Sequence, residues 1–308
     1  MSTKNYIPIA FCFDDNLIMP AGICISSLLE NAKDNTFYDI FILHDNIAKY
    51  PNSGFLERLY DKYQNFRINY RNVGDQFDNA FEIRGITKAT YYRLLIPELI
   101  KEYKKIFYFD VDIIFQNDLS EIYFNTDLKD YYAAGVATPY TGLNDYIIEK
   151  IKVEPNKYVC GGTLILNSEK LLTDNIIPEF KRVANQDWKF QDQDVLNLVC
   201  KNKILMLPPW FGVIGTINEI VADKNQTYYS QEEISDILEN GIIHFNGDKP
   251  WKNWCYNFDI WWFYYRHSIY FDSSFYFNFF HKKLFEYDQL SLFKRIKILV
   301  RYFTHRKK

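Results

Sequence analysis

Hydrophobic runs alternate with segments of helical spacing along most of the chain. The runs predict strands at Ile7–Phe13, Tyr38–His44, Arg67–Val73, Lys105–Asp110, Gly162–Asn167, Ile204–Leu207 and Gly241–Phe245. The intervening segments predict helices near Pro20–Asn31, Phe55–Tyr63, Thr87–Leu99, Ser168–Val183 and Asp192–Lys201. Regular alternation of this kind is typical of an α/β fold, in which helices cover both faces of a mostly parallel sheet.

Polar residues follow two of these strands at the position where α/β sheets bind their ligands. Ligands of such sheets lie beyond the carboxyl ends of the strands, because loops and helix N-termini converge there. The segments 14–16 and 110–112 both occupy that position. We therefore expect one ligand site to include both segments.

The C-terminal part of the chain differs in composition from the rest. Sixteen aromatic residues lie between Trp251 and Phe280, and nine Lys or Arg residues against two acids follow from His281 onwards. This change predicts a main domain over residues 1–255 and a small helical, aromatic and basic region over 256–308. Within it, residues 290–308 contain an amphipathic basic helix, which either binds an anionic membrane surface or packs on the main domain.

Composition and charge exclude several classes of protein. The chain has 308 residues, 48% hydrophobic and 24% charged, which is enough apolar material for a large core and rules out wholesale disorder. A net charge of -3 gives no electrostatic reason to expect nucleic acid as a partner. Five widely spaced cysteines, with neither a Cys-x-x-Cys pair nor a secretory signal pattern, favour reduced thiols in the cytoplasm.

The segment Ile106–Phe115 contains two carboxylates, Asp110 and Asp112, in an otherwise apolar run. In an extended strand these side chains would point to the same side, where a hard divalent cation would offset the cost of burying them. Chance alone produces about two such Asp-x-Asp triplets in a chain of this composition. A phosphatase is disfavoured because no Gly-Thr follows the triplet. A glycosidase that uses these two carboxylates is disfavoured too, because both would share one metal-like environment instead of flanking a sugar.

Three further segments carry residues suited to chemistry. His244 leads into a turn with Gly247 and Lys249, which suits a phosphate because glycine admits backbone N–H groups and lysine adds a charge. An imidazole with two carboxylates is a plausible set of ligands for Mn²⁺. Arg93 and the segment 190–197 have simpler interpretations, as a helix with a solvated arginine and as a helix N-terminus.

In this order, the segments resemble the retaining nucleotide-sugar transferases of glycosyltransferase family 8, and in particular the bacterial lipopolysaccharide galactosyl- and glucosyltransferases. The resemblance covers about residues 6–255. It is carried by Phe13-Asp-Asp-Asn16, Tyr92-Arg93-Leu94 with Ile96-Pro97, Tyr108-Phe-Asp110-Val-Asp112, Gly161-Gly-Thr-Leu-Ile-Leu-Asn167, Gln191-Asp-Gln-Asp194 and His244 through Trp251.

The resemblance implies a single Rossmann-like GT-A domain with a mixed, mostly parallel sheet, which uses Mn²⁺, with Mg²⁺ as a possible substitute. It implies that the metal ligands are Asp110, Asp112 and His244. It implies further that the UDP-sugar donor contacts Asp14, Asn16, Arg93, Asp110, Val111, Gly161, Gly162, Asp192, Gln193, Gly247 and Lys249, with Gln193, Asp192 and Arg93 at the reacting centre. The acceptor would be a glycan or a lipid-linked glycan, handled at the inner face of the membrane.

Two interpretations stay open beside this one. The first is a donor-binding or scaffold protein of the same fold that lacks activity. The presence of Asp110, Asp112, His244 and Gln193 counts against it, because an unused site would need none of them. A glycosidase would use Asp192 or Asp194 with a distant carboxylate, and it would differ from a transferase by working without metal. The chain also departs from the family at Cys160-Gly161-Gly162, where Asn-Ala-Gly or Asn-Ser-Gly is usual, so that one amide contact to the donor is absent.

Overall fold

The computed structural model of the protein describes residues 4–45, 50–77, 88–139 and 142–306, with the side chains of residues 302–306 left aside. The strands are β1 Asn5–Cys12, β2 Thr36–His44, β3 Phe66–Asn72, β4 Lys105–Phe109, β5 Ile113–Ile114, β6 Ala133–Ala137, β7 Val159–Asn167, β8 Ile204–Met206 and β9 Ile243–His244. The helices are α1 Ile18–Glu30, α2 Ser53–Glu57, α3 Ile96–Leu99, α4 Ser120–Asn125, α5 Asn144–Tyr146, α6 Ser168–Thr173, α7 Ile177–Ala184, α8 Gln191–Val199, α9 Gly215–Ala222, α10 Gln231–Asn240, α11 Phe258–His267, α12 Ser273–Asp288 and α13 Leu292–Arg306.

Seven strands form a mixed, mostly parallel sheet in the order β3-β2-β1-β4-β7-β6-β8. Strands β3, β2, β1 and β4 run parallel to one another, and β7 runs antiparallel to both of its neighbours, β4 and β6. Because β7 is antiparallel to both neighbours, β4 and β6 run in the same direction, and their carboxyl ends lie at the same edge of the sheet. The predicted α/β class with a mixed sheet is confirmed.

A second, two-stranded sheet pairs β5 with β9. The register sets Ile113 opposite His244 and Ile114 opposite Ile243. We call this pair the β5–β9 ribbon. It joins segments that are about 130 residues apart in sequence, directly after β4 at the carboxyl edge of the large sheet.

The structure differs from the predicted elements where local backbone chemistry overrides periodicity. The predicted helix 168–183 is two helices, because Asn175 takes a left-handed conformation (φ 53°) and Pro178 starts the second helix. The predicted helix 87–99 is a 3-10 helix, Lys88–Leu95, followed by the short α3. Thr87 itself lies outside the described residues.

The described chain divides into two compact units, residues 1–269 and 270–308. The first contains both sheets and α11, whose Trp261 and Trp262 are buried, whereas Trp254 is exposed. The second contains α12 and α13. In the part of the chain that the structure describes, no helix has the length and apolar composition needed to cross a membrane.

Candidate active site

Asp110 and Asp112 lie in a bend between β4 and β5. The Asp110 amide donates to the Gly162 carbonyl at 2.9 Å, after which the chain leaves the large sheet to pair with β9. The Phe245 amide donates to the Asp112 carbonyl at 2.9 Å. The expectation that both carboxylates share one face of a single strand is therefore wrong, because β4 ends at Phe109 and the next pairing belongs to the ribbon.

The bend and the ribbon nevertheless bring three ligand-type side chains together. Asp110, Asp112 and His244 each place one ligand atom within 4.8 Å of the ligand atoms of the other two. His244 Nε2 lies 3.2 Å from Asp112 Oδ1 and 3.7 Å from Asp110 Oδ2. Two carboxylate oxygens and one imidazole nitrogen make up a donor set that suits Mn²⁺, and Mg²⁺ less closely.

Gly162 on β7 leaves the space in which the side chains of Asp110 and His244 approach each other. A Cβ atom at this position would collide with both Asp110 Oδ2 and His244 Cε1, and would lie 3.0 Å from Asp110 Cγ. The residues therefore fit a bound cation in two respects, since the donor set has the right chemistry and the backbone beside it is kept clear. Gly161 is also close-packed, because a Cβ added there would lie 3.1 Å from Arg93 Nη1 and 3.2 Å from Gln193 Cβ.

The thiol of Cys160 contacts the His244 ring on the nitrogen that faces away from the carboxylates, and no sequence pattern assigns this thiol a role. Cys160 Sγ lies 3.6 Å from Nδ1, and both residues are buried. A contact on one ring nitrogen leaves the other to face the ligand site, as partners behind metal-binding histidines generally do. The only sequence signal is the unusual cysteine in the Cys-Gly-Gly triplet.

Lys249 lies within the cluster of carboxylates. Its Nζ is 2.5 Å from Asp112 Oδ2, and it also donates to the Phe245 carbonyl oxygen. Burial opposes ionisation of Asp112, but the charges of Lys249 and His244 outweigh it and hold the pKa of Asp112 below its usual range. For His244, burial is the largest single effect and lowers the pKa, but the contacts with the Asp112 carboxylate and with Cys160 together outweigh it and raise the pKa to about 10.

Arg93 comes from the 3-10 helix Lys88–Leu95, and its side chain is only 4% exposed. Its Nη2 lies 3.0 Å from Asp110 Oδ1, its Nε lies 2.9 Å from Asp192 Oδ2, and its Nη1 donates to the Gly161 carbonyl. The simpler interpretation, a helix with Arg93 on its solvated face, is wrong. Burial raises the pKa of Asp192 to about 6, even though the Arg93 guanidinium favours its charged form.

Tyr108 is a second residue whose role no sequence pattern indicates. Its hydroxyl donates to Asp110 Oδ1 at 2.6 Å, and the Arg93 guanidinium lies 4.4 Å from the centre of its ring. The side chain is fully buried, so one face supports the arginine while the hydroxyl supports the carboxylate. A tyrosine two residues before the first aspartate was the available signal.

Gln193 lies in the first turn of α8. Its Oε1 accepts a hydrogen bond from the Gly161 amide at 2.9 Å, while its Nε2 is buried without a hydrogen-bond partner among the described residues. Asp194 has a different environment, since it accepts hydrogen bonds from the Tyr146 and Tyr158 hydroxyls and the Phe190 amide. Asp194 is therefore a structural group, and the unsatisfied amide of Gln193 is the one available for a ligand.

The predicted donor contacts not yet described are Asp14, Asn16, Val111 and Gly247. Asp14 follows β1 at the same edge of the sheet, and its side chain accepts from the Asn16 amide at 2.9 Å. Val111 is buried, so only its backbone is available to a ligand. Gly247 follows the ribbon and has open space where a Cβ would be. The structure thus brings Arg93, Asp110, Asp112, Gly161, Gly162, Asp192, Gln193, His244 and Lys249 together.

The sequence profile described as "Glycosyl transferase family 8" matches residues 8–255. The chain belongs to glycosyl transferase family 8. This family 8 chain is 28% identical to general stress protein A of Bacillus subtilis over 263 residues, which cover 82% of the chain and 90% of that protein. It is 26% identical over 264 residues to a lipopolysaccharide 1,2-glucosyltransferase of Escherichia coli, covering 83% of the chain and 76% of that protein.

Solved structures show the same fold for the family 8 chain. The galactosyltransferase LgtC, solved with donor and acceptor sugar analogues, has a TM-score of 0.69 at 20% identity and covers 87% of this chain and 98% of its own. The bifunctional glycosyltransferase WbbM has a TM-score of 0.73 at 21% identity and covers 90% of this chain and 52% of its own. The predicted GT-A fold is confirmed, and the family makes this chain a glycosyltransferase.

Proposed function

We propose that the chain is a retaining hexosyltransferase that moves glucose or galactose from a UDP-sugar to a glycan or lipid-linked acceptor. The observation that carries the proposal is the direct contact between two groups of residues. The carboxylate–imidazole cluster around Asp110 shares a buried arginine, Arg93, with the Asp192–Gln193 pair. The E. coli relative named as a lipopolysaccharide glucosyltransferase supports a hexose and a lipid-linked acceptor.

Asp110, Asp112 and His244 would hold Mn²⁺, or Mg²⁺ in its place. When bound, the cation would neutralise negative charge on the diphosphate that leaves with UDP. The protein prepares this site with rigid elements: the β5–β9 ribbon fixes His244, and Gly162 leaves room between the carboxylates. Arg93 and Tyr108 fix the orientation of Asp110, so that its second oxygen faces His244.

Lys249 supplies the second positive charge for the diphosphate. It already lies beside Asp112, and the turn that contains Gly247 offers backbone N–H groups without a side chain in the way. Asp14 and Asn16 would contact the uridine from the loop after β1, and the backbone of Val111 would complete that end of the donor site. With the leaving diphosphate stabilised in this way, departure of UDP needs no separate general acid.

Gln193 would lie beside the anomeric carbon of the donor. An amide is a poor nucleophile, so retention of configuration would follow from attack by the acceptor on the same face from which UDP departs. The unsatisfied Nε2 points to a polar ligand, and the Oε1 that accepts from Gly161 would stabilise developing positive charge on the sugar ring. Arg93 and Asp192 would orient the sugar hydroxyls.

We also propose that the chain works in the cytoplasm, at the inner face of the membrane, through α13. Its apolar residues Leu292, Phe293, Ile296, Leu299 and Val300 are 47–77% exposed, and Lys294, Arg295, Lys297 and Arg301 lie between them. An exposed apolar row flanked by cations suits an anionic lipid surface. A lipid-linked acceptor would be presented at such a surface.

The proposed activity is tested by measuring release of UDP from UDP-glucose and from UDP-galactose, with Mn²⁺ and then with EDTA. We expect slow hydrolysis that requires the metal and that falls by roughly 10²-fold or more in Asp112→Asn, because that change removes a ligand and a charge from the site. The exposed Asp61→Asn is the matched control and should behave like wild type. Metal-independent hydrolysis would identify a glycosidase-like activity, and absence of both release and metal-dependent UDP binding would identify a scaffold.

A further inference from the structure

A cavity of about 510 Å³ opens beside α9, at the edge of the sheet that carries the proposed active site. Pro139, which follows β6, lies on one side of it, and α9 and the loop after it form the other. Its volume is within the range of small-molecule sites in proteins. None of the residues of the catalytic cluster lines it.

The cavity is tied to the active site through the start of α9. The Gly215 amide donates to Asn246 Oδ1 at 3.1 Å, and Asn246 lies two residues after His244. Val213, just before the helix, forms a β-bridge with Ile243 of the β5–β9 ribbon. The cavity is lined by α9 from Thr216 onwards, and an eight-residue helix rises about 12 Å, so the helix that contacts the ribbon loop at its start also forms a wall of the cavity.

The polar groups of the cavity are those of a carbohydrate site. Glu219 and Asp223 offer carboxylates, Asn225 offers an amide, and none of the described residues that line the cavity is Lys or Arg. Thr216 Oγ1 is buried there without a hydrogen-bond partner among the described residues. Carboxylates and amides pair readily with sugar hydroxyls, whereas two carboxylates without a cation repel an anionic group.

The aromatic side of the cavity is held in place by its own loop. The side-chain amide of Gln226 makes two hydrogen bonds with the backbone of Tyr229. It accepts one from the N–H at 2.8 Å and donates one to the carbonyl oxygen at 3.0 Å. The Tyr229 ring meets the Tyr228 ring edge to face at 4.8 Å. Tyr228 lines the cavity and is 56% exposed, so its ring offers apolar surface to a ligand there.

We infer that this cavity is a subsite for an uncharged sugar residue of the acceptor, next to the one that receives the hexose. Tyr228 stacks on the sugar ring, Glu219 and Asp223 accept hydrogen bonds from its hydroxyls, and Thr216 lies at the base. The inference rests on the proposed transferase function for its place in catalysis. The binding of sugar itself can be measured without turnover.

The test measures binding of neutral oligosaccharides (lactose, maltotriose and cellotriose) and of the acidic 3′-sialyllactose to the full chain by saturation-transfer NMR and titration. We expect saturable binding of at least one neutral probe and at least tenfold weaker binding of the acidic one. Tyr228→Ala should weaken neutral binding at least tenfold and Glu219→Gln severalfold, with UDP release from the donor alone unchanged in both. Tyr6→Ala, an exposed tyrosine at the start of β1, is the control.

Each outcome bears on the inference. Equal binding of acidic and neutral probes, no saturable binding of any neutral probe, or wild-type binding by Tyr228→Ala and Glu219→Gln would overturn it. If the wild type fails to release UDP but binds neutral sugar through Tyr228, the proposed function fails while the sugar site stands. If release is intact and neither variant changes sugar binding, the subsite alone is refuted.

Discussion

At the scale of single residues, the absence of a side chain at Gly162 is as important as the ligands themselves. The carboxylate of Asp110 and the ring of His244 lie in space that a Cβ at position 162 would occupy, and Asp110 is further held by Tyr108 and Arg93. The acids and the histidine could be found in the sequence from residue type and spacing. The support from Tyr108 and Cys160 could not, because it depends on contacts between strands.

Gly162→Ala should reduce the affinity for Mn²⁺ by about 10- to 100-fold while the fold is kept, because the new methyl group pushes Asp110 and His244 apart. The measurement is Mn²⁺ binding followed by electron paramagnetic resonance, with far-ultraviolet circular dichroism as the check on folding. Gly54→Ala is the control, since nothing lies within 4 Å of the atom it adds. Unchanged affinity in Gly162→Ala would show that the cation binds elsewhere.

Lys249 Nζ lies 2.5 Å from Asp112 Oδ2 and balances the charge of that carboxylate. A divalent cation and the ammonium therefore compete for the same carboxylate, so Lys249→Met should bind Mn²⁺ about tenfold more tightly in the absence of donor. The same variant should release UDP more slowly, because a charge is lost from the diphosphate site. Calorimetric titration measures the first effect, with Lys252→Met as the control, and weaker Mn²⁺ binding by Lys249→Met would contradict it.

At the scale of elements, prediction succeeded where a strand is a continuous buried run and failed where pairing is decided by distant partners. The runs that became β1, β2 and β3 were predicted to within two residues at each end. Strand β6 was missed, because the small residues of Ala133–Ala137 give little hydrophobic signal. The ribbon partner of Ile113 is His244, and nothing local in either segment indicates that pairing.

The parallel pair β2–β3 contains a buried carboxylate far from the cluster. Asp39 on β2 accepts hydrogen bonds from Arg67 Nε at 2.6 Å, Asn69 Nδ2 at 2.6 Å and Tyr103 Oη at 2.7 Å. Burial raises its pKa, but the bonds from Arg67 and Tyr103 outweigh this and hold the pKa below its usual value. A lowered pKa in the folded state stabilises the fold above the pKa of the unfolded chain, and this stability is lost as pH falls through the folded value.

Asp39→Asn should therefore lower the free energy of unfolding by about 2 kcal/mol at pH 7. The effect is no larger because the Arg67 side chain is half exposed and solvent screens its charge. The difference from wild type should shrink as pH falls below about 4, where the carboxyl group of the unfolded chain becomes protonated. Urea denaturation across that pH range measures it. Asp61→Asn should change stability by less than about 0.5 kcal/mol, and a difference independent of pH would rule out the charge as the cause.

At the scale of the whole molecule, the sequence separates an acidic main part from a basic end, and the described structure has a helix with exposed apolar and basic residues in that end. Lys294→Glu with Lys297→Glu should reduce co-sedimentation with phosphatidylglycerol vesicles at least tenfold, because each cation near an anionic surface contributes about 1 kcal/mol. Lys101→Glu with Lys224→Glu makes the same charge change in the first unit and should bind as wild type does. Binding that persists in the double variant of α13, or in high salt, would refute an electrostatic contact with lipid.

The β5–β9 ribbon also determines when during synthesis the cation site can first exist. Asp110 and Asp112 leave the ribosome long before His244, and the strand that carries His244 pairs with Ile113–Ile114 and, through Ile243, with Val213. A nascent chain that stops short of Gly241 contains every strand of the large sheet but lacks both His244, the third proposed ligand, and Lys249. Any activity that depends on the proposed site therefore has to wait until α9 and α10 have emerged.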